Sequence, residues 1–128
     1  MRRRNCRLYV PVVRGARATM HFVPLEGPLR RNRFGIPEPR FDARHVIDPR
    51  TLDMVLMPLV AFDFSGERLG SGAGYYDRAF AFARARRRPR LIGLAYRWQG
   101  VESLERAPWD VPMHAVVTDA GVLRFAHR

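Results

Sequence analysis

At 128 residues, with 23 basic against 12 acidic side chains and 47% hydrophobic content, the chain is expected to fold as one globular domain over residues 1–128. Every basic residue is arginine, so the net charge of +11 suits nucleic acid or an anionic small molecule, and equally the background of an arginine-rich, GC-rich composition. No apolar run approaches the roughly 18 residues of a membrane helix, the basic start has no secretory apolar stretch behind it, and the single cysteine, Cys6, excludes an internal disulfide and fits a reducing cytoplasm.

In chain order, Leu8 to Val13 reads as a first strand, Arg14 to Arg17 as a turn and Ala18 to Val23 as a second strand. Residues 24–49 carry many prolines and charges with little periodicity, and read as a long irregular connection. Met54 to Ala61 is nearly all apolar and reads as a buried central strand. A helix is expected over Tyr75 to Arg86, closed by the arginines from Arg84 to Arg90 and stopped by Pro89. A strand over Arg90 to Tyr96 follows, then a short helix or loop over Trp98 to Pro108, a strand over Ala115 to Thr118 and a short strand over Val122 to Phe125. Strands alternating with helices point to an α/β three-layer sheet with a largely parallel core and ligands at the carboxyl ends of its strands.

The most informative stretch is Arg68-Leu69-Gly70-Ser71-Gly72-Ala73-Gly74-Tyr75-Tyr76-Asp77-Arg78. Glycines at every second position let a ligand approach the backbone closely. A glycine loop opening a helix presents unpaired N–H groups to a phosphate. The spacing is neither the G-x-G-x-x-G of a Rossmann loop nor a Walker loop, since the chain has no lysine. A plain turn competes with a nucleotide loop on the glycines alone, but two rings, an acid and a base directly behind them favour the loop.

These residues carry a resemblance to the 5-formyltetrahydrofolate cyclo-ligase (5,10-methenyltetrahydrofolate synthetase) family. Its signature is matched by Pro58, Phe62-Asp63, Gly66, Arg68-Leu69-Gly70, Gly72, Gly74 and Tyr75-Tyr76-Asp77. Further segments match in order: Leu8 to Val13, Phe34 to Pro39, Leu91 to Tyr96, Gln99, Asp110 to Met113 and Val116 to Thr118. The match runs over about residues 7–122. Two departures stand out: Ala73 and Trp109 occupy positions where the family often has other residues, and the family's N-terminal third has no counterpart. The chain is therefore expected to be the C-terminal part of a cyclo-ligase, shortened in nature or by a misplaced start codon.

The resemblance implies an α/β three-layer sheet with helices on both faces, of the NagB/RpiA/CoA-transferase-like kind. It implies ATP contacts from Arg68, Gly70, Ser71, Gly72, Ala73, Gly74, Tyr75, Tyr76, Asp77 and Arg78. Gly72, Ala73, Gly74, Tyr75 and Tyr76 would also meet the folate, and Asp77 with Asp110 would hold Mg²⁺. Read from the residues alone, Arg68 suits a phosphate or an ion pair with Asp63. One of the two tyrosines should be core, and Asp77 could simply favour a helix start. Glu38 is a structural corner or a folate contact. His21, His45, His114 and His127 lack metal spacing, and Ser65 and Ser71 lack a base partner.

The implied reaction is ATP-dependent closure of 5-formyltetrahydrofolate to 5,10-methenyltetrahydrofolate with release of ADP and phosphate. It demands positioning and charge neutralisation more than covalent chemistry. The shortened chain is expected to bind nucleotide weakly and to turn over slowly or not at all. The chain is expected to act in the cytoplasm, off the membrane, as a monomer or weak homo-oligomer. Two other classes stay open: a degenerate binding module that uses its basic surface for nucleic acid, and a half-enzyme completed by a partner chain.

Overall fold

A computed structural model describes residues 5–14 and 19–126. Of the expected features, Arg2 to Arg4, the turn residues Gly15 to Arg17, Ala18 and His127 lie outside the described residues. The chain clusters into two compact units, Met1–Asp48 and Pro49–Arg128.

The first unit is built from two antiparallel pairs. Strands β1 (Tyr9–Val13) and β2 (Met20–Pro24) pair from Tyr9 opposite Pro24 to Val13 opposite Met20. Val12, Met20, Phe22 and Val23 are buried there. The stretch expected to be irregular contains a second pair, β3 (Leu29–Arg31) and β4 (Pro37–Pro39). Its turn is made by Asn32, whose side-chain oxygen accepts the N–H groups of Phe34 and Ile36 at 2.8 and 3.0 Å. Such an Asx turn needs no hydrophobic periodicity, which is why the pair escapes a pattern search. Glu38 accepts a hydrogen bond from the Asn32 amide at 3.2 Å, a bond inside this hairpin.

The second unit holds a four-stranded sheet in the order β11-β10-β8-β5. Its strands are β5 (Met54–Met57), β8 (Arg90–Leu94), β10 (Ala115–Thr118) and β11 (Gly121–Arg124). The first three run parallel and β11 returns antiparallel. Strands β6 (Ala61–Asp63), β7 (Arg68–Leu69) and β9 (Gly100–Val101) form a smaller sheet. Val55, Met57, Leu91 and Val116 are buried on one face of the larger sheet. On its other face Met54, Leu56, Leu94, Val117 and Val122 stay between 38% and 54% exposed.

This α/β architecture, mixed parallel and antiparallel with few helices, corrects two expectations. The strand expected over Met54 to Ala61 is broken at Pro58, which has no N–H to give a ladder. Its first half is an edge strand of the larger sheet rather than a central one, Pro58 to Val60 are not strand, and only Ala61 enters the smaller sheet. The helix expected over Tyr75 to Arg86 ends far earlier: α1 spans Tyr75–Ala79, and a 3₁₀ turn covers Ala81–Ala83. At Phe80 the backbone leaves helical geometry (φ −113°, ψ 19°) while its ring is fully buried. Burying that ring, with about 3–5 kcal/mol at stake in an alanine replacement, overrides the alanine-rich helical propensity. The arginines beyond therefore close no helix. Arg84 reaches the Asp110 carbonyl and Arg88 pairs with Asp53. His114 joins strands: its Nδ1 accepts the Leu91 N–H at 2.9 Å and its Nε2 faces the Arg86 carbonyl at 3.1 Å. No helix among the described residues is long and apolar enough to cross a membrane.

Candidate functional site

The site begins with the hairpin that leads into the glycine loop. Strand β6 ends at Asp63, only 3% exposed. Its Oδ1 accepts the Ser65 N–H at 3.0 Å, the Ser65 hydroxyl at 2.7 Å and the Glu67 N–H at 3.0 Å. Its Oδ2 accepts the Leu104 N–H at 3.0 Å. One carboxylate thus folds the β6–β7 turn and ties it to a loop forty-one residues on. Burial pushes the Asp63 pKa up, but the hydrogen bonds outweigh it and hold the group below the ordinary carboxylate value. Ser65 is thereby a donor to Asp63.

Arg68 opens the loop, and its side chain is 6% exposed. It does not form the expected ion pair with Asp63. Its Nη1 donates to the Pro58 carbonyl at 3.0 Å, its Nη2 lies 3.7 Å from Asp77 Oδ1, and its Nε has no hydrogen-bond partner among the described residues. Its guanidinium also stands 5.6 Å from the Tyr76 ring centre. Gly72 and Gly74 take φ of 103° and 72°, values that side chains disfavour, so the loop's shape depends on them. Ala73, between them, keeps a negative φ and carries no strain. Arg78 Nη1 donates to the Ala73 carbonyl at 2.7 Å and steadies the loop from behind.

Neither tyrosine belongs to the core, since both are half-buried and line a common hollow. Tyr76 stacks on Phe80 at 6.5 Å between ring centres, and burial pushes its hydroxyl pKa up against an opposing pull from Arg68. Asp77 sits in the first turn of α1, and its Oδ1 accepts the Val111 N–H at 3.1 Å. That bond draws in the loop bearing Asp110, whose Oδ2 accepts the Ala107 N–H at 2.8 Å. Two expectations thus come together without being equivalent: Asp77 is an anchor for a loop as well as an acid at a helix start. With five residues, α1 is too short to lend the dipole expected of a long helix.

These elements enclose a hollow of about 530 Å³, the size of a small-molecule site. The whole stretch 68–77 lines it, and so does Asp110. Arg78 alone of the expected residues lies elsewhere, in an adjoining hollow of about 430 Å³ that shares Gly72, Ala73, Gly74 and Asp77. The rest of the lining is Pro58, already matched in the family signature, and residues that were not legible in the sequence. Pro58, Leu59 and Val60 form a wall just beyond the carboxyl end of β5, where a parallel sheet places its ligands. That wall is held by the Gln99 amide, which donates to the Leu59 and Val60 carbonyls at 3.3 and 3.1 Å. Leu104, Glu105 and Trp109 complete the lining. Of these only Trp109 carried a signal, as a departure from the family pattern.

Glu67 is 8% exposed, and its Oε1 is buried without a hydrogen-bond partner among the described residues; Arg106 Nε stands 3.6 Å away. Burial pushes its pKa up. Arg106 opposes the rise, and Asp63, Asp110 and Asp77 add to it. A carboxyl with a raised folded value contributes stability that is full below the unfolded value, about 4.3, and is lost as pH rises through the folded one. Glu67→Gln is therefore expected to match the wild type at pH 4 and to exceed it at pH 8. Thermal unfolding at the two pH values checks this, and a constant difference between the proteins would contradict it.

The fold and the hollow together are those of an α/β protein built around a small-molecule-sized cavity under a glycine loop. The chain belongs to the 5-formyltetrahydrofolate cyclo-ligase family, whose model matches residues 1–119. It is 39% identical over 121 residues to a 5-formyltetrahydrofolate cyclo-ligase of Escherichia coli, a match covering 91% of this chain and 65% of that protein. The corresponding protein of Haemophilus influenzae is 37% identical over 119 residues, with 88% and 62% covered. The solved 5,10-methenyltetrahydrofolate synthetase of Aquifex aeolicus superimposes with a TM-score of 0.75 at 34% identity, covering 95% of this chain and 60% of that one. The chain thus spans less than two thirds of the length of these relatives.

Proposed function

We propose that the chain carries out, in whole or as a share of a larger protein, the ATP-dependent closure of 5-formyltetrahydrofolate to 5,10-methenyltetrahydrofolate. The observation that carries this reading is the convergence of stretch 68–77 and Asp110 on one hollow. Membership of the family supports the substrates, since the relatives' names specify the formylated folate and the methenyl product.

In this reading the formyl oxygen of the folate attacks the γ-phosphorus of ATP and ADP leaves. N10 then attacks the activated formyl carbon and loses its proton, and the phosphate departs carrying the former formyl oxygen. The protein's task is to hold two substrates in line and to match phosphate charge. Backbone N–H groups of the Gly70–Gly74 loop serve the phosphates, with Ser71 and Ala73 at its rim. Arg68, buried beneath, gives the loop a fixed positive floor. Tyr75 and Tyr76 face the same hollow and offer rings to the pterin side.

The carboxylates fit a magnesium ion. Asp77 and Asp110 each spend one oxygen on a loop N–H, and neither second oxygen has a hydrogen-bond partner among the described residues. No cluster of three or more His, Cys, Asp or Glu side chains forms a metal cage among those residues. A pair of carboxylates that leaves the remaining positions to phosphate and water is what Mg²⁺ prefers. Held there, Mg²⁺ would neutralise phosphate charge. A cytoplasmic setting suits a chain whose only cysteine is free and exposed, and a monomer or weak homo-oligomer suffices for the reaction.

The test is formation of the methenyl chromophore, followed by its near-ultraviolet absorbance, from 5-formyltetrahydrofolate with Mg²⁺ and ATP. Product that requires ATP is expected. A folded chain that binds neither substrate would overturn the reading.

A further inference from the structure

The smaller hollow is built differently from the larger one. Its walls are Gly72–Gly74, Asp77, Arg78, Ala81, Arg84 and Trp109, so it offers two guanidinium groups, one carboxylate and one indole. Trp109 is 69% exposed, an unusual position for so large an apolar ring. The ring is nevertheless carried on a firmly held loop. The Asp110 N–H donates to the Ala107 carbonyl at 3.1 Å and the Ala107 N–H to Asp110 Oδ2 at 2.8 Å. Arg84 Nη2 grips the Asp110 carbonyl at 3.2 Å, and the next N–H, of Val111, is taken by Asp77. The indole is thus presented to solvent from a braced backbone, in a wall common to both hollows.

The two hollows meet along Gly72–Gly74. A ligand seated in the smaller one therefore continues past loop backbone, and its far end enters the larger. That order suits a molecule with a flat ring at one end and a chain of anionic groups at the other. We infer that the smaller hollow takes the base of a nucleoside triphosphate, stacked on the Trp109 indole, with the phosphates along Gly72–Gly74 and the terminal phosphate delivered into the larger hollow. Arg78 and Arg84 flank the ribose and first phosphate in this arrangement. The larger hollow, with both tyrosines and the Pro58–Val60 wall, is left to the second substrate. This assignment rests on the proposed use of ATP and adds which hollow each substrate occupies and which residue selects for the base.

The experiment measures binding to the whole chain by calorimetry, using ATP, inorganic tripolyphosphate and 5-formyltetrahydrofolate as separate probes. Trp109→Ala is expected to weaken ATP by roughly ten- to hundredfold, the range of a lost base–aromatic stack, while tripolyphosphate binds as before. Trp109→Phe should recover most of the ATP affinity. In a Trp98→Phe background, which leaves Trp109 as the only indole, ATP should quench fluorescence and tripolyphosphate should not. Because the side chain is exposed, circular dichroism should show both Trp109 variants folded. Equal loss of ATP and tripolyphosphate, loss of folate binding alone, or unchanged ATP binding would each overturn the inference. Base-dependent ATP binding without methenyl product would leave it standing and remove the cyclisation reading. Product formation with ATP affinity indifferent to Trp109 would do the reverse.

Discussion

Asp63→Ala is expected to cost the second unit about 3–5 kcal/mol of folding stability. The carboxylate accepts four hydrogen bonds, three of them from backbone N–H groups, and is almost wholly buried. Its removal strands those donors, at about 1–3 kcal/mol for each buried group left unpaired. A total of about 3–5 kcal/mol is a large part of the 5–15 kcal/mol that holds a typical domain together. Asp63→Asn keeps one acceptor oxygen, enough for the three donors on Oδ1 but not for the Leu104 N–H on Oδ2, and should cost roughly half as much. Urea titrations followed by circular dichroism measure the series, and an alanine variant within 1 kcal/mol of the wild type, by the same scale, would refute the account. The same carboxylate sets an acid limb. Because its folded pKa is depressed, its contribution is complete above the unfolded value, about 3.9, and is lost as pH falls through the folded one. Asp63→Asn should flatten that limb.

The second large effect is on chemistry. Asp77→Asn is expected to lower methenyl product formation at least a hundredfold, the scale of losing one group that answers charge in a transition state. Asparagine retains an oxygen for the Val111 N–H, so the loop carrying Asp110 stays in place. Asp77→Ala removes the anchor too, and should add a stability loss of about 1 kcal/mol to the same rate defect. The asparagine variant therefore separates charge from architecture. A folded Asp77→Asn protein with wild-type turnover and unchanged Mg²⁺ dependence would remove Asp77 from the metal pair.

What could be read from the chain beforehand follows a physical division. The strand over Ala115 to Thr118 was legible because it is short, β-branched and bounded, and the one beginning at Arg90 because it is a short apolar run bounded by Pro89. The helix was overextended because propensity sees alanine and arginine but not the burial of Phe80. The break at Pro58 was visible as a residue, yet nothing local says that the chain changes sheets there. In the site, the glycine loop, the tyrosines and Asp77 were legible because their chemistry lies in one continuous stretch. Asp110 entered through the resemblance alone. The Gln99 braces and the Asp63–Leu104 bond link residues some forty positions apart, and no pattern along the chain encodes such closures.

The part-exposed apolar residues on one face of the larger sheet bear on how this protein behaves in concentrated solution. Met54, Leu56, Leu94, Val117 and Val122 leave apolar side chains part-exposed around the buried Ile92 and Ala115, on a chain of net charge +11. At low ionic strength, mutual repulsion among copies opposes contact between such faces. Salt shortens the reach of that repulsion from about 10 Å at 0.1 M to about 3 Å at 1 M and leaves the attraction between apolar faces intact. Colloidal stability should therefore fall as salt is added, so dilute buffer is the better storage medium.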